Sequence, residues 1–277
     1  MATATNGDTN LYYETAGDPS DPTMLLVMGL GAQLTRWSDA FVDRLVAEGF
    51  HVVRHDNRDV GLSTKTTGDP TAGPAYTLQD MADDAVAVLD AVGVERAHVC
   101  GASMGGMIVQ TMAIHHPERV SSMCSIMSTT GDPTVGQAEP EILMMLVTPP
   151  PDGREAAIAA AVDRYQAIAG PHFDREETLA NTNRDYDRCW NPIGQAFQIG
   201  AIMAGPDRTP GLAGITAPSV VIHGRLDRLI GVSGGQATAA AIPGAKLVIY
   251  DDMAHDVPKP RLDEFVEEIV ANTRRAN

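Results

Sequence analysis

Val99-Cys100-Gly101-Ala102-Ser103-Met104-Gly105-Gly106 is the stretch around which the chain is organised, and its segment 101–105 matches the pattern G-x-S-x-G. The apolar run 97–100 precedes this segment, and an apolar segment at helical spacing, 107–114, follows it. Such a sequence predicts a strand, a sharp turn and a helix, with Ser103 at the apex of the turn. The strand and the helix approach so closely in such a turn that the positions two before and two after the serine must lack a side chain, and glycine occupies both.

The composition is that of a globular enzyme with an acidic surface. The chain has 277 residues, enough for one large α/β domain with an insertion or for two small domains. Hydrophobic residues make up 44% and charged residues 20%, which argues against disorder. The net charge of -16 disfavours nucleic acid and anionic membrane surfaces as partners, although it is also consistent with a solvated surface that says nothing about the substrate.

The cysteines and the first residues bear on where the protein works. Cys100, Cys124 and Cys189 show no C-x-x-C pair, and an odd number of cysteines leaves no complete disulfide framework. The first eight residues lack a basic region followed by an apolar core, and no apolar run is long enough to span a bilayer. We therefore expect a cytoplasmic protein without a membrane partner, and the oligomeric state stays open.

Short apolar runs alternate with amphipathic segments along the first half of the chain. The helical faces include one with Phe41, Leu45 and Val46, and a second in the segment 81–92, which has Thr77 as its predicted N-cap. Strands that alternate with helices predict an α/β protein with a mostly parallel sheet. The predicted strands are 11–13, 24–28, 51–54, 97–100 and 122–127.

The alternation stops near Gly131 and resumes after about residue 210. Between these points the sequence predicts helices only, at 141–147, 154–169, 175–188 and 194–203. Strands at 218–224 and 245–250 and a final helix with Phe265 and Ile269 follow. The expected organisation is an α/β core in two parts, 1–131 and 211–277, interrupted by a helical cap insertion at 132–210.

A serine nucleophile needs a base, and the base needs an acid that orients it. Asp227 lies three residues beyond the predicted strand that ends at Gly224, and His255 lies five residues beyond the strand that ends at Tyr250. Because parallel strands share their carboxyl ends, both loops are expected at the same sheet edge as Ser103. Asp132 is the alternative acid. We favour Asp227 because it directly follows a strand.

Acyl transfer also needs hydrogen-bond donors for the oxyanion that develops on the substrate. One predicted donor is the backbone N–H of Met104, at the start of the helix that follows the serine. The other is expected in the turn after the strand 24–28, where we choose the N–H of Leu30.

Further motifs extend along most of the chain outside the insertion. They are Met28-Gly29-Leu30-Gly31, Asp56-Asn57-Arg58-Asp59-Val60-Gly61-Leu62-Ser63, His116-Pro117-Glu118-Arg119-Val120, His223-Gly224-Arg225-Leu226-Asp227 and Ala254-His255. With these motifs the sequence resembles the α/β-hydrolase family of serine esterases. The Asn-Arg-Asp-x-Gly-x-Ser motif and the Met-Gly turn are similar to the aclacinomycin methylesterase-like branch. The resemblance implies a mostly parallel twisted sheet flanked by helices.

Three positions depart from relatives of that family. Met28 stands where many relatives have histidine, and Ala254 stands where glycine usually precedes the catalytic histidine. Dehalogenase and epoxide-hydrolase relatives carry aspartate at the position of Ser103, so these two activities are disfavoured.

The expected activity is hydrolysis of a small or medium, fairly apolar carboxylic ester through an acyl-enzyme, with no metal and no organic cofactor. The insertion would then form the substrate pocket, with the predicted lining residues Leu143, Met144, Met145, Trp190, Phe197 and Met203. One alternative is hydrolysis of a carbon–carbon bond in a vinylogous diketone, as in relatives with Ser-Met-Gly-Gly elbows. The segment after His255, Asp256-Val257-Pro258, lacks the tryptophan that often follows the histidine in those enzymes, so this alternative ranks lower. Another alternative is a ligand receptor that uses the hydrolase pocket.

Overall fold

The computed structural model describes residues 2–276 and contains one eight-stranded sheet. The strand order is β1-β2-β4-β3-β5-β6-β7-β8. β2 pairs antiparallel with β1 and β4, and the pairs from β4 to β8 are parallel. The strands are β1 (Thr3–Asn6), β2 (Thr9–Ala16), β3 (Thr23–Val27), β4 (His51–His55), β5 (Ala97–Ala102), β6 (Val120–Ile126), β7 (Ser219–Gly224) and β8 (Lys246–Tyr250).

Helices cover both faces of this sheet, as expected for strands without a polar face. One core cluster contains Val99 with residues of α2 and α3, and the second contains the next residue of β5, Cys100, with residues of α1 and α10. The helices are α1 (Asp39–Ala47), α2 (Leu78–Ala91), α3 (Met104–His115), α4 (Pro140–Val147), α5 (Arg154–Ile168), α6 (Arg175–Arg188), α7 (Pro192–Met203), α8 (Thr209–Leu212), α9 (Ser233–Ala241) and α10 (Leu262–Thr273).

The α/β architecture and its mostly parallel sheet are confirmed. Every predicted strand is present, and the cap of α2 forms as expected: the Thr77 side chain accepts from the Asp80 N–H, and the Asp80 side chain accepts from the Thr77 N–H. Outside the segment between β6 and β7, two strands or α-helices were not predicted, the N-terminal strand β1 and the helix α9. The composition of α9, SGGQATAAA, offers no apolar stripe that would indicate a helix.

Helices alone connect β6 with β7, a segment that the structure describes throughout. These helices, α4 to α8 (Pro140–Leu212), form the insertion. Four of its helices lie within two residues of the predicted ones, and the short α8 is additional. The treatment of 132–210 as a cap unit separate from the core remains a prediction.

Candidate active site

Ser103 lies between the end of β5 and the start of α3, with φ 57° and ψ −119°. This conformation is strained for a residue with a Cβ, at a cost of about 1–3 kcal/mol. A Cβ on Gly101 would lie 2.1 Å from the Gly105 carbonyl oxygen, and one on Gly105 would lie 2.0 Å from the Val27 carbonyl oxygen. A side chain at either position would collide with the backbone, so both positions require glycine, as predicted from the sequence.

His255 lies between Ser103 and Asp227. Its Nε2 is 3.0 Å from Ser103 Oγ, and its Nδ1 is 2.7 Å from Asp227 Oδ2. With Nδ1 donating to the carboxylate, Nε2 accepts the hydroxyl proton of Ser103. The loops after β7 and β8 thus bring the predicted base and acid to the serine.

The carboxylate of Asp227 is buried and fixed by backbone groups. Its Oδ1 accepts the N–H of Leu229 at 2.9 Å and that of Ile230 at 2.8 Å. Burial opposes ionisation of this group. The charge of His255, together with hydrogen bonds from His223, His255 and the Ile230 N–H, outweighs burial and lowers the Asp227 pKa below its usual value. Asp227 is therefore held as a carboxylate against the imidazole.

The alternative acid, Asp132, has other partners. Its Oδ1 accepts the N–H of Thr134 at 2.8 Å and the hydroxyl of Thr134 at 2.7 Å, so it forms a local turn before the insertion. The position beside the imidazole belongs to Asp227.

The backbone N–H groups of Leu30 and Met104 are the predicted oxyanion donors. Within residues 2–276 neither of them donates to another protein group. The turn that carries Leu30 lies against the serine, because a Cβ on Gly29 would be 3.0 Å from Ser103 Cβ. Both donors are thus free beside the elbow to bind a developing oxyanion.

Two buried amides hold the Leu30 turn, and the sequence analysis assigned no role to either of them. Asn57 Nδ2 donates to the Met28 carbonyl at 2.8 Å. Gln198 Oε1, from α7, accepts the Gly31 N–H at 2.7 Å, and its Nε2 donates to the Arg58 carbonyl at 2.8 Å. Asn57 lies in the motif 56–63, so the sequence contained a signal for its role. The sequence contained no such signal for Gln198, because nothing in it places α7 over this turn.

The insertion also contacts the His255 loop directly. The His255 N–H donates to the Ile168 carbonyl at the end of α5, at 2.9 Å. Asp256 Oδ1 accepts the Ala254 N–H at 3.0 Å, and it lies beside Gly170, 3.4 Å from the position that a Cβ on Gly170 would take. Burial raises the pKa of Asp256. The position of the imidazole therefore depends in part on the turn between α5 and α6.

A cavity of about 620 Å³ extends from Ser103 and His255 into the insertion. Of the predicted lining residues, Leu143, Met145, Trp190 and Met203 line it. Trp190 stacks on Tyr186 with the ring centroids 4.6 Å apart.

The structure corrects the prediction for two of the lining residues. Phe197 is buried in the core cluster that contains α2 and α3, because the face of α7 that carries it packs on the core. Met144 is 63% exposed, whereas Ile142 on the same helix is buried. Two residues of α-helix separate them by about 200°, so Met144 lies on the opposite face.

No group of three or more His, Cys, Asp or Glu side chains is placed to hold a metal ion within residues 2–276. In the same part of the chain, no helix is long and apolar enough to cross a membrane. Cys100 and Cys124 are buried, and all three cysteines are free.

Comparisons with known proteins agree with the fold. The family described as alpha/beta hydrolase fold matches residues 22–161. A rhodomycin D methylesterase of Streptomyces sp. (strain C5) is 31% identical, over 98% of this chain and 97% of the relative. A 2-hydroxy-6-oxononadienedioate/2-hydroxy-6-oxononatrienedioate hydrolase of Dechloromonas aromatica (strain RCB) is 27% identical, over 93% of this chain and 88% of that protein. The crystal structure of an enol-lactonase from Burkholderia xenovorans LB400 superposes with a TM-score of 0.80 at 26% identity, covering 98% of this chain and 99% of that chain.

Proposed function

The chain belongs to the α/β-hydrolase family, and from that membership we propose that it is a serine carboxylic-ester hydrolase that works through an acyl-enzyme. Family membership and the methylesterase relative already indicate a hydrolase rather than a receptor. The single observation that carries the finer proposal is the hydrogen-bonded series from Ser103 Oγ through His255 to Asp227.

In the first half of the proposed reaction, Ser103 Oγ attacks the carbonyl carbon of the ester while its proton passes to His255 Nε2. Asp227 stabilises the imidazolium that forms. The N–H groups of Leu30 and Met104 donate to the oxyanion of the tetrahedral intermediate. When the intermediate collapses, the ester C–O bond breaks and the alcohol leaves with the proton from His255.

The second half of the reaction repeats these roles with water. Water loses a proton to His255 Nε2 and attacks the acyl carbon of the ester formed with Ser103. The new oxyanion has the same two backbone donors. Collapse breaks the bond to Ser103 Oγ, which recovers its proton from His255, and the carboxylic acid is released.

The shape of the cavity supports an ester of medium size with a mostly apolar body. A volume of about 620 Å³ is within the range of sites that take drug-sized ligands. Leu143, Met145 and Ile142 contribute apolar side chains to it. The name of the Streptomyces relative describes a methylesterase, which favours a small alcohol as the leaving group.

Replacement of Ser103 by alanine tests the proposal. We expect hydrolysis of p-nitrophenyl acetate and butyrate to fall to near background in Ser103→Ala, with an unchanged circular dichroism spectrum. Turnover equal to that of the wild type in the folded variant would contradict the mechanism.

Carbon–carbon bond hydrolysis in a vinylogous diketone is the second candidate, favoured by the similarity to the Dechloromonas hydrolase. Both reactions use the same serine, so Ser103→Ala does not separate them. Decay of the absorbance of a ring-fission dienone under wild-type enzyme, without turnover of simple esters, would favour the second candidate.

A further inference from the structure

The cavity wall contains three lysine or arginine side chains, and two of them are neutralised. Arg36 Nε lies 2.5 Å from Asp185 Oδ2, and Lys259 Nζ lies 2.8 Å from Glu177 Oε2. The third, Arg164, forms no ion pair with any carboxylate in the part of the chain that the structure describes. Of the three lining cations, Arg164 is the one without a carboxylate partner among the described residues.

Arg164 also has unused hydrogen-bonding capacity. Its Nη2 donates to the Thr148 carbonyl at 3.1 Å, whereas its Nε is buried and has no acceptor. Burial lowers the pKa of Arg164, which is the direction expected for a cation without a counter-charge. A guanidinium nevertheless stays protonated in proteins, so the positive charge remains and an anion would be stabilised beside it.

The position of Arg164 relates it to the catalytic groups. Ala161, Arg164 and Ile168 lie on the face of α5 that lines the cavity. Arg164 precedes Ile168 by four residues, which is one turn or about 6 Å along the helix. The carbonyl of Ile168 accepts the His255 N–H, so the guanidinium belongs to the same helix end that contacts the histidine loop.

We propose that Arg164 is a specificity-determining residue that binds a carboxylate on the substrate, at the end of an apolar segment remote from the ester that is cleaved. This proposal rests on the proposed esterase function and specifies its substrate class: an ester with a mostly apolar body and one distal carboxylate. A planar guanidinium is suited to such a group because it can donate two parallel hydrogen bonds to its oxygens.

The test compares two series of p-nitrophenyl esters. One series contains monoesters of the dicarboxylic acids from glutarate to suberate, and the other contains neutral acyl chains of the same length. We expect the ratio of kcat/KM between the charged and the neutral ester to peak at one chain length in the wild type. In Arg164→Met this ratio should fall about tenfold or more, because a charge-assisted contact is lost, while kcat/KM for the neutral esters changes less than about threefold. Arg164→Lys should recover part of the ratio.

Arg154→Met is the matched control. Arg154 lies at the start of the same helix, pairs with Asp187 and does not line the cavity. This variant changes the net charge of the protein as Arg164→Met does but leaves the cavity wall intact, so the ratio should be unchanged. Thermal unfolding of all variants checks that they are folded.

The outcomes separate the two proposals. An equal fall for charged and neutral esters in Arg164→Met, or an unchanged ratio, would overturn the role of Arg164 while leaving the esterase function standing. If the wild type hydrolyses no ester, the esterase function fails. Calorimetric titration with the free dicarboxylic acids then tests the site directly: binding that is at least about tenfold weaker in Arg164→Met supports it, and equal binding or none to the wild type overturns it.

Discussion

The turn from β5 to α3 and the helical insertion line the same cavity, but they are built in opposite ways. At the turn, main-chain atoms of neighbouring elements touch, and the Cβ positions of Gly101 and Gly105 would fall within about 2 Å of carbonyl oxygens. The insertion approaches the backbone of the core closely at Gly194, where a Cβ would lie 2.4 Å from the Asp59 carbonyl oxygen, but it lines the cavity mainly with side chains. Several of these are open to solvent, such as Met203 at 79% exposure. We infer from this comparison that backbone packing fixes the proposed catalytic groups, whereas replaceable side chains would set the selectivity.

The largest expected effect on activity follows the replacement of Asp227, a core side chain that contacts His255. Asp227→Asn should lower kcat by about 10⁴-fold, because an amide both removes the negative charge and favours the wrong tautomer of His255. Asp132→Asn, at the alternative acid in the loop before the insertion, should stay close to the wild type. Steady-state kinetics on p-nitrophenyl butyrate checks both. A larger loss in Asp132→Asn would reverse the assignment of the acid.

A pair of helical glycines compares the packing of the two regions. Gly105→Ala should destabilise the protein by at least about 3 kcal/mol, because the new methyl group meets the backbone of β3. Gly200→Ala in α7 should be neutral or stabilising by about 0.5–1 kcal/mol, since the nearest atom to the new Cβ is Pro74 Cα at 3.8 Å. Urea unfolding measures both. Similar values for the two variants would remove the distinction between the regions.

The histidine loop is the place where the two regions meet. Asp256→Ala should lower kcat by about 10–100-fold with a modest loss of stability, because the imidazole is then less firmly positioned. Asp251→Ala in the same loop is the control, since its carboxylate is 80% exposed and pairs with Arg225. If the two variants lose activity equally, the contact between Asp256 and the turn after α5 has no special role.

The smallest expected effect concerns pH. His98 is buried in β5 with its Nδ1 2.9 Å from Ser122 Oγ. Burial, together with the charge of Arg96, lowers its pKa from 6.5 to about 4. The unfolded chain therefore binds the proton first as the pH falls, so the contribution of His98 to stability is present above pH 6.5 and is lost progressively toward pH 4.

Between pH 7 and pH 5 the free energy of unfolding of His98→Gln should accordingly fall by about 1 kcal/mol less than that of the wild type, after allowance for solvent screening. The exposed His115→Gln is the control. The measurement is the free energy of urea unfolding at the two pH values. If the free energy of unfolding depends on pH equally in His98→Gln and the wild type, His98 does not contribute to this dependence.

The parts of the protein that follow from local chemistry were predictable from the sequence. Gly101 and Gly105 reveal the turn because no other residue fits there, and the distance of Asp227 and His255 beyond their strands indicates the shared sheet edge. The family motifs then extended this interpretation to the whole fold, which the comparisons confirm.

The details of the insertion were less predictable, for a physical reason. The sequence PIGQAFQIGAIM of α7 is apolar on most sides, so its composition does not tell which face packs on the core. That ambiguity produced the wrong expectation for Phe197 and concealed the contact of Gln198 with the Gly31 N–H. Asp256 entered the prediction only as part of the segment that lacks the tryptophan of carbon–carbon hydrolases, because its neighbour Gly170 belongs to a turn that is distant in the sequence.

The central claim, that Ser103 is the nucleophile of an ester hydrolysis, is tested most directly by trapping the acyl-enzyme. Wild-type protein mixed with p-nitrophenyl acetate and quenched in acid within the first turnovers should gain the mass of one acetyl group, and peptide mapping should place that group on Ser103. Ser103→Ala should gain none. An acetyl group at another residue, or rapid turnover with no adduct and an unaffected Ser103→Ala variant, would contradict the account.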